Sequence, residues 1–152
     1  MRRLSIVLLS VVLLLAASVL FAAPAVKELS ILWAQWDPAN YLQQLCKEYE
    51  AATGVKVKVV QEPWSSFADR YFTAMAAKGT EWDMVVGDSQ WLGTAVTSGQ
   101  YLDLTKFMTD NKLVETVTPA TLQYYGEYPA GSKKYYAFPT EGDACGFAYR
   151  KD

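Results

Sequence analysis

Three segments of the chain set tryptophan among carboxylates, amides and small polar residues just past a short apolar stretch. They are Ile31-Leu32-Trp33-Ala34-Gln35-Trp36-Asp37, Gln61-Glu62-Pro63-Trp64-Ser65-Ser66 and Val85-Val86-Gly87-Asp88-Ser89-Gln90-Trp91. Flat indole faces cover the C–H faces of a polyhydroxylated molecule, and neighbouring acids and amides bond its hydroxyls. That is chemistry for holding a carbohydrate, not for transforming one. Trp36, Trp64 and Trp91 are the aromatic candidates, with Gln35, Asp37, Glu62, Asp88, Ser89 and Gln90 as polar partners. Packing against the helix that follows is the competing role for each tryptophan, and a staple across a helix start is a second one for Trp64. Asp37 and Asp88 are equally candidates for helix caps, a role compatible with ligand contact. Trp33 and Trp82 fall inside strand-like stretches and read as core.

A second cluster is Thr140-Glu141-Gly142-Asp143. Its two carboxylates could bond sugar hydroxyls or form a solvated turn. Glycoside hydrolysis also uses paired acids, but across a scissile bond, and residues two apart on an extended chain point the same way. The tyrosine pairs Tyr124-Tyr125 and Tyr135-Tyr136 raise ferric iron as another solute, although neighbours on a strand face opposite sides.

The elements that must carry these residues follow from periodicity and punctuation. Glu28 to Ala34 reads as a strand. Asp37 is then an N-cap candidate, Pro38 suits a first helical position, and the helix runs to Ala52 with Gly54 as a left-handed stop. Val55 to Val60 reads as a strand near a sheet edge. Ser66 and Asp69 have capping-box spacing for a second helix with Phe67, Tyr71 and Met75 on one face and Gly79 as its stop. Trp82 to Val86 reads as a third strand, and Asp88 or Ser89 caps a third helix that ends before Gly99. This alternation predicts an α/β fold with a doubly wound, mainly parallel sheet, whose strands all end on one edge. Short helical pieces follow to Gln123, with Thr105 and Thr118 as candidate caps. Tyr124 to Lys134 reads as loop, and Lys134 to Pro139 and Gly146 to Arg150 as extended segments. No internal repeat or low-complexity tract is visible.

Composition narrows the chemistry. Arg2 and Arg3 precede an apolar run from Ile6 to Ala23, and Ala23-Pro24-Ala25 offers small residues for cleavage. Residues 1–25 therefore read as an export signal. The run, at about 18 residues, also matches a membrane span, but no basic stop-transfer cluster follows it. Of 14 basic residues, Arg2 and Arg3 leave with the signal, and the 12 that remain face 16 acidic ones, a net charge of −4. No basic cluster larger than a pair such as Lys133-Lys134 is left, so no nucleic-acid partner is expected. Histidine is absent, which removes Ser-His and Cys-His catalysis and most zinc sites. No cofactor or metal is expected. Cys46 and Cys145 match no metal spacing, and Cys46 reads as a buried thiol on a helix face with Leu42, Leu45 and Tyr49, although an exported pair could be oxidised.

The order of Leu45, Tyr49-Glu50, Thr53-Gly54-Val55-Lys56-Val57, then Trp82-Asp83-Met84-Val85-Val86-Gly87-Asp88, then Tyr135-Tyr136-Ala137-Phe138-Pro139 resembles carbohydrate-type solute-binding proteins of ABC importers, relatives of maltose-binding protein. Ala144 to Asp152 resembles that family's strand ending in Tyr-Asn-Lys-Asp, with Arg150 in place of asparagine. The resemblance covers Leu29 to Asp152 and implies a non-enzymatic, periplasmic or extracellular monomer that delivers a sugar to a membrane permease. Relatives have two lobes and roughly two to three times this length. The resemblance thus implies a fragment, with a first lobe over 26–142 and a hinge crossing plus the start of a second lobe over 143–152. Asp143 falls where relatives place an acid on sugar hydroxyls. The residues expected to touch ligand are Asp143, Trp64, Trp91, Asp88, Gln35, Trp36 and Glu141.

Overall fold

The computed structural model describes residues 26–142, 148, 150 and 151. The expected export signal over residues 1–25, Asp143 and Cys145 lie outside the described residues. Two compact units emerge among the described residues: 26–62 with Glu81–Met84, and Pro63–Thr80 with those from Val85 onward.

In the first unit, β1 (Glu28–Ala34) runs parallel to β2 (Lys56–Glu62), from Glu28 opposite Lys56 to Ala34 opposite Glu62. Among the described residues, a short β3 (Met84–Val85) completes a three-stranded sheet in the order β2-β1-β3, so β2 lies at an edge there, as the alternation in its sequence suggests. Lys56 N–H donates to the Lys27 carbonyl at 2.9 Å and Gln35 N–H to that of Glu62 at 2.7 Å, bracketing the ladder. In a parallel pair alternate residues bond inward, so Val57 and Val59 turn their backbone groups to the open side. The side chain of Gln43 meets both. Its Nε2 donates to the Val57 carbonyl at 2.9 Å, and its Oε1 accepts from Val59 N–H at 2.8 Å.

Gln43 belongs to α1 (Asp37–Thr53), which ends at Gly54 with φ +74°, the left-handed stop expected. Asp37 is not the cap. The cap position is Trp36, in extended conformation, and Ala39 N–H, a donor an Asp37 cap would take, goes to the Trp36 carbonyl at 3.2 Å. The buried stripe of α1 runs through Ala39, half-buried Leu42 and Gln43, and Cys46. Leu45 and Tyr49 are exposed, contrary to the expected face, because each position rotates the helix by about 100° away from its neighbour. Burial pushes the Cys46 thiol above its ordinary pKa.

Asp83 explains why the third strand starts later than Trp82. Its backbone N–H reaches the Ser30 carbonyl at 3.1 Å, but its Oδ2 takes the Ser30 N–H at 2.7 Å and the Ser30 hydroxyl at 3.0 Å. A side chain thus occupies the donor on β1 that a strand carbonyl would use. Trp82 is buried as expected, outside the strand.

In the second unit, α2 (Trp64–Ala76) starts two residues before the expected capping box. Pro63 holds the cap position, and the Ser66 hydroxyl donates to the Pro63 carbonyl at 3.2 Å, so it cannot serve as a box. Phe67 and Tyr71 are fully buried and Met75 half-buried, one face as expected. Lys78, with φ +53°, supplies the left-handed turn after the helix; Gly79 follows it because a Cβ there would lie 3.0 Å from the Ala74 carbonyl oxygen.

A 3-10 turn (Ser89–Trp91) leads into α3 (Leu92–Thr97), followed by Gly99 at φ +68°. Then come α4 (Thr105–Asp110), a 3-10 turn (Leu113–Thr116) and α5 (Pro119–Tyr125). Met108, Leu122 and Tyr135 form their core, walled by Leu104, Leu113, Val114 and Val117. Thr118 caps α5 as expected, its hydroxyl accepting from Thr121 N–H at 3.3 Å. Thr105 does not cap α4; its hydroxyl accepts from Tyr135 N–H at 2.9 Å, while Asp103 Oδ1 takes the Thr105 N–H. Hydrogen bonds from Thr105 hold the Asp103 carboxyl below the ordinary aspartate range. Among the described residues, no helix is long and apolar enough to cross a membrane.

The Gln43 clasp makes a measurable claim. Gln43→Ala leaves a half-covered strand edge without two partners and should lower unfolding stability by about 1–2 kcal/mol in urea titrations. An unchanged midpoint would show that water satisfies Val57 and Val59 equally well.

Candidate functional site

Trp64 is the first residue of α2, and Trp91 ends the turn that precedes α3. Their rings stack at 5.4 Å between centroids, 25° from parallel. Phe67, one helical turn after Trp64, lies 6.2 Å from the Trp64 ring and 5.5 Å from that of Trp91, again nearly parallel to both. Phe72 meets Trp91 edge-on at 6.1 Å. Burial is graded across this group: Phe67 is 0 % exposed, Trp91 is half-buried, and Trp64 is 56 % exposed. A rigid apolar base therefore carries an indole that water reaches. Stacked contacts of this kind add about 0.5–1.5 kcal/mol beyond area burial, enough to hold the outer ring in place.

The cluster continues inward through Tyr71, whose ring lies 6.4 Å from Phe67 and 6.4 Å from Tyr101. The Tyr71 hydroxyl is buried, with no group in hydrogen-bonding geometry among the described residues. Burial first, and the neighbouring Tyr101 hydroxyl second, hold the Tyr71 phenol far above the ordinary tyrosine value. Burial raises Tyr101 as well, opposed by its contact with Tyr71. Gly87 is needed beside this pair, since a Cβ there would fall 2.9 Å from the Tyr101 hydroxyl.

Asp88 is half-buried and caps the turn that presents Trp91: its Oδ1 accepts from Gln90 N–H at 3.1 Å, and its carbonyl accepts from Trp91 N–H at 3.0 Å. The cap role expected of Asp88 is thus realised, on a 3-10 turn. Glu141 is exposed in the second unit, and Gly142 beside it packs close to Thr121. In the first unit, Gln35 is exposed and extends the β1 ladder through its N–H. Trp36 is 41 % exposed and meets Trp33 edge-on at 5.6 Å.

Of the candidates, Trp64, Trp91 and Asp88 thus come together in the second unit, Gln35 and Trp36 adjoin in the first, and Asp143 lies outside the described residues. Sequence reading placed Phe67 and Tyr71 only as a helix face; the partnership of Phe67 with both tryptophans depends on a contact 24 positions away and has no local signal. For the tyrosine pairs, Tyr135 is buried in the core with Met108 and Leu122, while Tyr124 is exposed.

The second unit thus presents a braced indole, Trp64, stacked on Trp91, whose turn is capped by the Asp88 carboxylate. The chain belongs to the bacterial extracellular solute-binding protein family, which matches it over residues 34–152. Solved structures agree. A solute-binding protein of an ABC transporter from Agrobacterium radiobacter K84, in complex with ribitol, is similar with 25 % identity and a TM-score of 0.67, over 74 % of this chain and 28 % of its own. An N-glycan transport solute-binding protein from Streptococcus pneumoniae shares the fold with 18 % identity and a TM-score of 0.57, over 74 % of this chain and 25 % of its own. A sugar transporter from Rhizobium etli, in an open conformation, shares it with 22 % identity and a TM-score of 0.52, over 70 % and 27 %. The chain thus spans little more than a quarter of the length of these proteins. No curated protein matches it significantly.

Two outcomes follow from the graded burial. Phe67→Ala should cost about 3–5 kcal/mol of stability, the range for a fully buried aromatic, whereas Trp64→Ala should cost about 1 kcal/mol. Equal losses in denaturant titrations would mean that the outer ring is structural. The second concerns alkali. Unfolded tyrosine loses its proton near its ordinary value of 10.0 while buried Tyr71 keeps it, so stability is full below that pH and falls as pH rises above it. Tyr71→Phe should flatten that alkaline slope, and an unchanged slope would place its origin elsewhere.

Proposed function

We propose that this chain is the ligand-binding N-terminal portion of an exported sugar-binding protein of an ABC importer. Residues 26–142 are assigned to the first lobe, and 143–152 to the crossing and the start of the second. The observation that carries the proposal is the exposure of Trp64 on top of a stack whose base, Phe67, is completely buried. A large exposed aromatic held in one orientation gives up little further freedom on binding and offers a flat apolar face. Asp88 beside Trp91 adds an acceptor suited to hydroxyl groups. Family membership and the ribitol complex of the Agrobacterium protein support a small polyhydroxylated ligand.

Gln35, Trp36, Glu141 and Asp143 are further proposed ligand contacts, on the strength of their residue types and, for Asp143, of the family resemblance. The role is binding without turnover: solute is captured outside the cytoplasm, in the periplasm or at the cell surface, and handed to a membrane permease by a monomer. Residues 1–25 serve as the export signal.

The test is tryptophan fluorescence of the full-length natural protein titrated with mono- and oligosaccharides and polyols. A saturable shift with one of them is expected, weakened at least about tenfold, roughly 1.4 kcal/mol, in Trp64→Ala, Trp91→Ala and Asp143→Ala. Silence across the panel from folded protein would redirect the search to non-sugar solutes. Binding unchanged in all three variants would overturn the site assignment alone.

A further inference from the structure

We infer that Tyr128 is a positioning residue for the tryptophan surface, acting through Gly93. The inference rests on the reading of Trp64 and Trp91 as ligand-facing, but concerns what holds them. Gly93 lies two residues past Trp91 in the first turn of α3. A Cβ built on Gly93 would fall 2.9 Å from Tyr128 Cε2 and 3.5 Å from its Cζ, so the Tyr128 ring packs directly on the helix backbone there. A glycine within a helix weakens it by about 0.5–1 kcal/mol relative to alanine, so the close ring contact is a reason for its presence.

Tyr128 is itself firmly held. Its N–H donates to the Lys134 carbonyl at 3.1 Å, and Glu127 before it bridges to Tyr135, a core residue. The Glu127 carboxylate, although buried, accepts from Gly131 N–H at 2.6 Å and closes the loop on itself. Tyr136 N–H reaches the Gly126 carbonyl at 2.9 Å, and a Cβ on Gly126 would meet the Ala137 carbonyl oxygen at 2.7 Å. The loop 126–136 is thus tied at both ends to the core around Met108, and Tyr128 is its projecting contact.

The other side of α3 explains why such a contact matters. Trp91 is carried by a three-residue turn and a helix of six residues, too short to hold a fixed direction unaided. Leu92 and Ala95 bury one face of α3. Tyr128 adds a point at the first turn, where the direction of Trp91 is decided. The stack of Trp91 on Trp64 and Phe67 then depends on a residue 37 positions away from Trp91, reached through Gly93. Displacement of about 1 Å at a supporting residue is enough to spoil a binding surface.

The experiment reads ring geometry and binding separately, in the full-length natural protein. Circular dichroism of stacked indoles gives an exciton couplet, assigned to this pair by its loss in Trp64→Phe. Tyr128→Ala is expected to lose most of that couplet and to weaken binding of the sugar found by titration on the order of tenfold. Tyr128→Phe, which keeps the ring, should restore both. Gly93→Ala, which drives a methyl into the ring, should lose the couplet as Tyr128→Ala does. A full couplet in either Tyr128→Ala or Gly93→Ala would overturn the inference, as would a Tyr128→Phe that loses as much as Tyr128→Ala. Should one variant fail to fold, the other decides. The couplet needs no ligand, so its behaviour stands even if no sugar binds, and failure of the carbohydrate reading is told apart from failure of this one.

Discussion

Parallel pairing of β1 with β2 is the constraint from which the rest follows. Two parallel strands cannot be joined by a tight turn, so the chain must travel the length of the sheet between them, and α1 is that crossover. The demand sets the punctuation of the sequence: a strand, a loop, a helix of 17 residues, and a glycine able to take φ +74° to turn back. It also puts each loop after a strand end, which is where Trp36 and Trp64 stand. A parallel strand at an edge has a second cost, an open row of backbone groups, and Gln43 meets part of it from the crossover helix itself. The edge of β1 that faces β3 is treated likewise at Ser30, where Asp83 replaces a strand carbonyl with a carboxylate.

What the sequence made legible, and what it hid, divides along the range of the interactions involved. β1 was readable to the residue, because strand propensity and the following polar loop coincide. Gly54 and Gly99 were readable because a left-handed backbone selects glycine. Thr118 was readable because a cap acts three residues away. Ser66 had the same local signature and failed, since Pro63 had already opened the helix and its carbonyl drew the hydroxyl. Thr105 failed for a longer-range reason: Tyr135, 30 positions on, supplies a backbone N–H to its oxygen. Asp83 shows the same effect on a strand boundary. Residues with hydroxyl or carboxylate side chains have several partners within reach, and only the fold decides among them.

The candidate site was legible as composition and not as geometry. Tryptophan beside small polar residues can be seen in the sequence around Trp64 and Trp91. That these two rings face each other cannot, because they lie 27 positions apart with a strand between them. Nor does the helix face of Phe67 and Tyr71 announce its role as the base of that pair. The face was correctly read as buried, but a buried face is ordinarily core and nothing more. Its significance lies in what stacks above it. On α1, by contrast, the apolar residues Leu45 and Tyr49 were assigned to a buried face and are exposed, which shows how little apolar character alone says about position.

A surface that binds by stacking has to reconcile two requirements. The ring that meets ligand must remain accessible, yet an accessible ring on a flexible chain would lose on ordering much of what it gains on contact. On the function proposed here, the second unit separates the two duties. Trp64 is accessible; its orientation is set by Trp91 and Phe67, and Phe67 is in turn fixed by full burial on α2. Rigidity is thus imported from residues that never see solvent. The same logic makes Gly93 intelligible, since a side chain there would keep Tyr128 from the turn that aims Trp91. Order in the outer ring is a property of the packing beneath it. If the proposed ligand contact is made by Trp64, sequence changes at buried aromatics and glycines in this unit should therefore alter recognition as strongly as changes at the exposed indole itself.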